Sequence, residues 1–266
     1  MKESLNAKND NSHADAIHAL LPLLGFRKAL VGDRWERTFP NVSAPLEVDC
    51  DAGAFLYEKI GITVSSATPA NFSQPENFVV FECVCRLLEK GYRPKDIELE
   101  PEWKLGHTYK GGRADIWVRT AGKGGKKDSL LIIECKTWGR EFAAAWRDTL
   151  EDGAQLFSYF QQERGTKFLC LYASGVADGK VVSDCRLVNV QDNADYLKTL
   201  PKARRGGYAS ATSNKQLFAV WRDTYQYDFA TQGLFEKDIA PYHPGKNKYS
   251  ADDLRWRGFP FDEGRH

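Results

Sequence analysis

The sequence predicts a mixed α/β domain, and three observations carry the prediction. Apolar residues recur at helical spacing from Glu76 to Tyr92, three strand-like runs follow in close succession, and a long helical segment then precedes a further strand. Short links make antiparallel neighbours and a helical crossover follows them, so the expected sheet is mixed and flanked by helices.

Composition sets the outer limits. At 266 residues, 42% hydrophobic and 27% charged, the chain is long enough for one large domain, or a core with additions, and has the composition of an ordinary soluble globular protein. The net charge of +1 rules out a bulk basic field, so any polyanion would have to be held by a local patch. The six cysteines (Cys50, Cys83, Cys85, Cys135, Cys170, Cys185) show no paired C-x-x-C spacing, and no N-terminal stretch has signal-peptide character. Reduced thiols and a cytoplasmic location are expected. No apolar run approaches the roughly 18 residues of a membrane-spanning helix, and no membrane partner is expected.

The elements follow in order. Residues 1–75 are expected to form an N-terminal appendage: a polar start, a helix over Ala14 to Leu24 capped by Asn11 or Ser12, short antiparallel strands over 34–65, and a connector, SSATPANFSQP. Residues 76–178 form the predicted core. Its helix, ENFVVFECVCRLLEKGY, ends at Gly91. Strands KDIELEPEWKL and RADIWVRT come next, then the loop AGKGGKKD, the strand SLLIIECK, one helix from about Glu141 to Glu163, and the strand KFLCLYAS. In shorthand this is α-β-β-β-α-β. Residues 179–266, with a strand candidate KVVSDCRLVNV, are expected to pack on that core as a C-terminal extension.

The chemistry concentrates at two strand ends. Alternation places Leu130, Ile132, Glu134 and Lys136 on one face of LLIIECK, and Arg113, Asp115 and Trp117 on one face of RADIWV. If the two strands pair as a hairpin, Asp115 and Glu134 can reach one ion. Two carboxylates on adjacent strands suit a hard cation such as Mg²⁺, with Mn²⁺ as a substitute, and the backbone carbonyl of Cys135 can add an oxygen. Lys136 beside them can orient or deprotonate an attacking water, or neutralise charge on a phosphate.

Asp115-Ile-Trp-Val followed by Leu131-Ile-Ile-Glu-Cys-Lys136 resembles the PD-(D/E)XK nuclease motif, with Ala114 where the family name has proline. The element order resembles that superfamily's restriction-endonuclease-like core. Gln155 and Tyr159, at i and i+4 of the later helix, resemble the Q-x-x-x-Y motif of nuclease domains in type I restriction subunits and RecB-like nucleases. The resemblance covers residues 76–174 and is closest to the N-terminal nuclease domain of type I restriction subunits and related restriction–methylation polypeptides.

That resemblance implies a Mg²⁺-dependent endonuclease acting on DNA within a restriction–modification system. Asp115 and Glu134 would hold metal, Lys136 would help activate water, and Gln155 with Tyr159 would position DNA. It also implies a glutamate from the upstream helix. Glu82 is the better candidate because it lies among core-facing residues, and Glu76 is the alternative. The motor and methyl-transfer motifs of those relatives are missing from this sequence, so helicase or methyltransferase modules enter as possible partners. The lysines of AGKGGKKD, with Lys104, Lys110, Arg113 and Arg140, are candidate phosphate contacts, as are Lys202, Arg204 and Arg205.

Plainer readings stand beside these. An acid two residues before a lysine is in isolation an exposed ion pair worth little. Gln155 and Tyr159 alone would be the polar edge of an amphipathic helix, and Glu82 can pair with Arg86 at i+4. The five histidines lack metal-ligand spacing and receive no role. A catalytically silent DNA-binding or assembly module with the same fold is the alternative function.

Overall fold

The computed structural model describes residues 15–101, 104–105, 109–110, 113–121, 127–152, 154–163 and 165–189. It begins with helix α1, residues 15–23. Ile17, Leu20, Leu21 and Leu24 are buried at i, i+3, i+4 and i+7, the stripe that seats a surface helix on a core. An antiparallel sheet follows, in the order β1 (Arg27–Lys28), β2 (Arg34–Arg37), β3 (Leu46–Asp49) and β4 (Ala54–Phe55). These are the short strands expected in this region.

Helix α2 (Pro75–Glu89) starts with proline at its first turn, where the missing N–H would have had no helical partner anyway. It ends in a Schellman motif: Gly91, at φ 88°, donates its N–H to the Leu88 carbonyl, and Tyr92 donates to Leu87. Val79, Val80, Phe81, Cys83, Val84, Cys85, Leu87 and Leu88 are all buried, so α2 is apolar around most of its circumference. A helix of that kind needs cover on two sides. The four-stranded sheet supplies one: the Phe55 ring stacks on Phe81 at 4.3 Å between centroids, and Phe26 lies 5.3 Å from Phe81.

A six-stranded mixed sheet supplies the other. Its members are β5 (Thr63–Val64), β6 (Ile97–Leu99), β9 (Ile116–Ala121), β10 (Lys127–Thr137), β11 (Phe168–Ala177) and β12 (Lys180–Asn189). They lie in the order β12-β11-β10-β9-β6-β5. A small pair, β7 (Lys104–Leu105) with β8 (Tyr109–Lys110), stands apart. Strand β9 runs antiparallel to both of its neighbours, β6 and β10, and β11 returns parallel to β10. The expected class, α/β with a mixed sheet flanked by helices, is what the chain adopts.

Two details differ from expectation. The sheet runs past both limits of the 76–178 core: β5 comes from the appendage, β12 from the C-terminal extension, and one hydrophobic cluster holds Leu21, Val48, Phe81 and Tyr172 together. The single helix over 141–163 is two, α3 (Arg140–Asp152) and α4 (Ala154–Gln162). Gly153, a weak helix former, stands between them in the sequence, and Ala154 opens the second at φ 41° in the left-handed region.

Strand β10 is central and buried on both faces. Leu131, Ile133 and Cys135 join the cluster against α2, whereas Tyr159 of α4 reaches Glu134 on the opposite face. A bulge between Ser129 and Leu131 shifts the register, and Leu130 joins the α2-side cluster. Alternation therefore holds from Leu131 onward. Among the described residues no helix is long and apolar enough to cross a membrane.

Candidate active site

The antiparallel register sets the site. Ile132 pairs with Trp117 and Ile133 with Ile116, so one step further Asp115 stands opposite Glu134, at the end of β10 where β9 begins. Directly opposed residues share a face. Asp115 Oδ2 accepts the Cys135 N–H at 2.5 Å, which ties the first carboxylate to the strand carrying the second.

Glu134 is 2% exposed and engaged at both oxygens. Lys136 Nζ donates to Oε1 at 2.5 Å and the Tyr159 hydroxyl to Oε2 at 2.6 Å. The same hydroxyl lies 2.8 Å from the Arg113 carbonyl, and Gln155 Nε2 approaches it at 3.4 Å. Lys136 Nζ also lies 2.9 Å from Oε1 of Glu76, at the first turn of α2. Thus α2, β9, β10 and α4 each contribute a group, and the Gln155–Tyr159 pair joins the carboxylates through one phenol.

Electrostatics follow from burial. The Asp115 carboxyl is pushed well above the usual carboxylate range, first by desolvation and then by the facing Glu134. Glu134 is also raised by its burial, which outweighs the opposing pull of Lys136 and Tyr159. Burial works against the Lys136 charge, but attraction to Glu134 and hydrogen bonds to Glu134 and Glu76 hold its ammonium above the ordinary value. Lys136 is therefore a cation at neutral pH.

The structure does not bring Glu82 to this site. Tyr172, the β11 partner of Cys135, donates to Glu82, and Arg86 pairs with its other oxygen, all on the α2 face of the sheet. The i+4 ion pair is its role here, and Glu76 is the α2 acid that reaches Lys136. The Cys135 thiol also faces α2, beside Cys83, so only its backbone can serve the site. Arg113 is exposed, with its guanidinium 3.6 Å from Glu100. Lys110 lies on β8, among residues whose side chains are not described, as are those of Lys104 and the loop residues 122–126. Lys202, Arg204 and Arg205 fall outside the described residues.

A cleft of about 420 Å³ opens beside the acids, lined by Glu76, Glu134, Lys136, Glu141, Asp148 and Gln155 among others. Glu141 and Asp148 were not singled out in the sequence. Their signal was there: acids seven apart on one helical face, with alanines between them. The walls are acidic.

A hard divalent cation fits this donor set in one respect. Asp115 and Glu134 are opposed carboxylates whose negative charge is poorly solvated, and Glu76, Asp115 and Glu134 outnumber Lys136. Among the described residues these three acids do not all lie within 4.8 Å of one another, so the β9–β10 pair is the candidate ligand set, and Glu76 bonds Lys136. No protein-family model matches the chain, and no curated protein matches it in sequence.

Proposed function

We propose that the chain is a metal-dependent deoxyribonuclease of the PD-(D/E)XK type, the nuclease module of a restriction–modification system. One observation carries the reading: Asp115 faces Glu134 across β9 and β10, Lys136 follows on the same face, and Tyr159 of the Gln155–Tyr159 pair bonds Glu134. The α2-β6-β9-β10 order, the α3–α4 crossover and parallel β11 support a restriction-endonuclease-like core.

In this reading Asp115 and Glu134 hold Mg²⁺ or Mn²⁺, with the Cys135 carbonyl as a further oxygen. The bound ion supplies Lewis-acid polarisation of the phosphate and a water of lowered pKa. Lys136, held as a cation by Glu134 and Glu76, would donate hydrogen bonds to the water or the phosphate. Tyr159 fixes the Glu134 carboxylate, and Gln155 fixes Tyr159. Glu76 holds Lys136 in place. The acidic cleft repels a bare phosphodiester, which makes cation loading a precondition for DNA to enter.

The separation among Glu76, Asp115 and Glu134 favours a second reading, a nuclease-like module that binds DNA or assembles with a motor or methyltransferase without cutting. Cleavage of supercoiled plasmid in Mg²⁺ or Mn²⁺ separates the two. Nicking by the wild type, lost in Glu134→Ala and Lys136→Ala variants with unchanged circular dichroism, supports the nuclease. An intact plasmid, alone and with such partners added, supports the silent module.

A further inference from the structure

We propose that His18, Asp33 and Cys50 form a binding site for a transition-metal cation of the Zn²⁺ class, on the opposite side of α2 from the acids of β9 and β10. The three residues come from three elements: His18 from α1, Asp33 from the turn between β1 and β2, and Cys50 from the residue after β3. Their nitrogen, oxygen and sulfur donor atoms all lie within 4.8 Å of one another. His18 Nε2 is 2.6 Å from Asp33 Oδ2, and the Cys50 N–H donates to the Asp33 carbonyl at 2.8 Å, so the backbone already holds thiol and carboxylate side by side.

The donor types select the ion. Imidazole with thiolate favours Zn²⁺ or a similar borderline cation over Mg²⁺ or Ca²⁺, and three protein ligands leave a fourth tetrahedral position for water. All three side chains are partly exposed, which gives the ion a way in. Nearby groups are otherwise engaged. Asp51 Oδ2 accepts the Asp33 N–H at 2.9 Å, Asp49 is bound to Arg34 at 2.8 Å, and Lys28 takes Asp33 Oδ1 at 3.1 Å. Asp49 and Asp51 are not among the donors within 4.8 Å of one another, and they act as negative charge near the thiol and not as ligands. Burial, together with Asp33, Asp49 and Asp51, pushes the Cys50 thiol up to about 11. On binding, the thiol proton leaves to solvent and the sulfur lone pair goes to the metal. His18 Nε2 gives up the proton it shares with Asp33, Nδ1 carries the proton that the neutral ring keeps, and any excess proton leaves to solvent. The ion takes the place of the hydrogen bond between Nε2 and Asp33.

The consequence is a clip joining α1 to the four-stranded sheet. The test is titration of the full chain with Co²⁺ and then Zn²⁺, followed by absorption and by thermal melting. Expected is a cobalt–thiolate charge-transfer band, displaced by one equivalent of Zn²⁺, with a rise in Tm. Cys50→Ser should lose the band, and His18→Gln should weaken Zn²⁺ binding by about tenfold or more. Both changes fall at partly exposed positions and keep the fold, as circular dichroism would verify. Asp115→Asn should keep the band, which separates this site from the proposed nuclease centre. A wild type without the band, or a band that survives Cys50→Ser, overturns the proposal.

Discussion

Removing one oxygen atom, Tyr159→Phe, isolates the link between the Gln155–Tyr159 pair and the acids. The ring is 1% exposed and stays in place, so no cavity opens and the loss is confined to the hydroxyl. That hydroxyl lies 2.6 Å from Glu134 and 2.8 Å from the Arg113 carbonyl. Its single proton makes one full hydrogen bond, and a bond to a charged acceptor is worth about 1.5–3 kcal/mol. A loss of about 2 kcal/mol is expected, or a fall of roughly 4–8 °C in Tm for a domain of this size. Denaturant unfolding in chelator measures it, with Gln155→Ala as the control. The 3.4 Å contact of Gln155 is weak, and that variant should lose less than about 0.5 kcal/mol. Cleavage by Tyr159→Phe should fall while DNA binding persists, since Glu134 loses its clamp and not its charge. A Tyr159→Phe protein within about 0.5 kcal/mol of wild type would refute the reasoning, because the phenol would then not be holding Glu134.

Asp115→Asn should raise metal-free stability, read as Tm in chelator, and abolish the Tm increase on adding Mg²⁺, since its raised carboxyl makes the ionised site a burden until a cation arrives. The pH dependence has a fixed sign. Asp115 and Glu134 hold protons in the folded state that the unfolded chain releases near pH 4, so metal-free stability should fall as pH rises from about 4 toward neutrality, and the slope should flatten in Asp115→Asn; an unchanged slope counts against the coupling. Arg86→Met should cost about 3–5 kcal/mol by leaving Glu82 buried without its ion-pair partner, measured by urea unfolding, and the double variant Arg86→Met/Glu82→Gln should recover much of it. Glu82→Gln should keep plasmid cleavage near wild type, whereas Glu76→Gln should reduce it through Lys136.

The β9–β10 site was legible because strand periodicity is local. Asp115, Glu134 and Lys136 follow from alternation and one hairpin register, which the sequence carries in adjacent runs. Glu82 was misplaced for a different reason. On α2 nearly every position is buried, so facing the core did not say which sheet face a residue would meet, and Tyr172, ninety residues on, captured it. The helix break at Ala154 hung on one glycine in an otherwise helical pattern, and β5 joined the sheet by pairing with β6, a segment distant in sequence, whereas β12 joined through a local hairpin with β11 across Asp178 and Gly179. His18, Asp33 and Cys50 are separated by loops, and no motif spacing can announce a cluster that three elements assemble.

Helix α2 also decides where this protein can be divided. A piece beginning at residue 76 would present Phe81 and its neighbours to water in place of the Phe26 and Phe55 rings, and fully exposing one such side chain costs roughly 1.5–3 kcal/mol. The smallest portable unit therefore includes the N-terminal strands. A fusion or transplant that keeps only the acids, the lysine and their sheet would carry the candidate site without the N-terminal cover that keeps α2 folded.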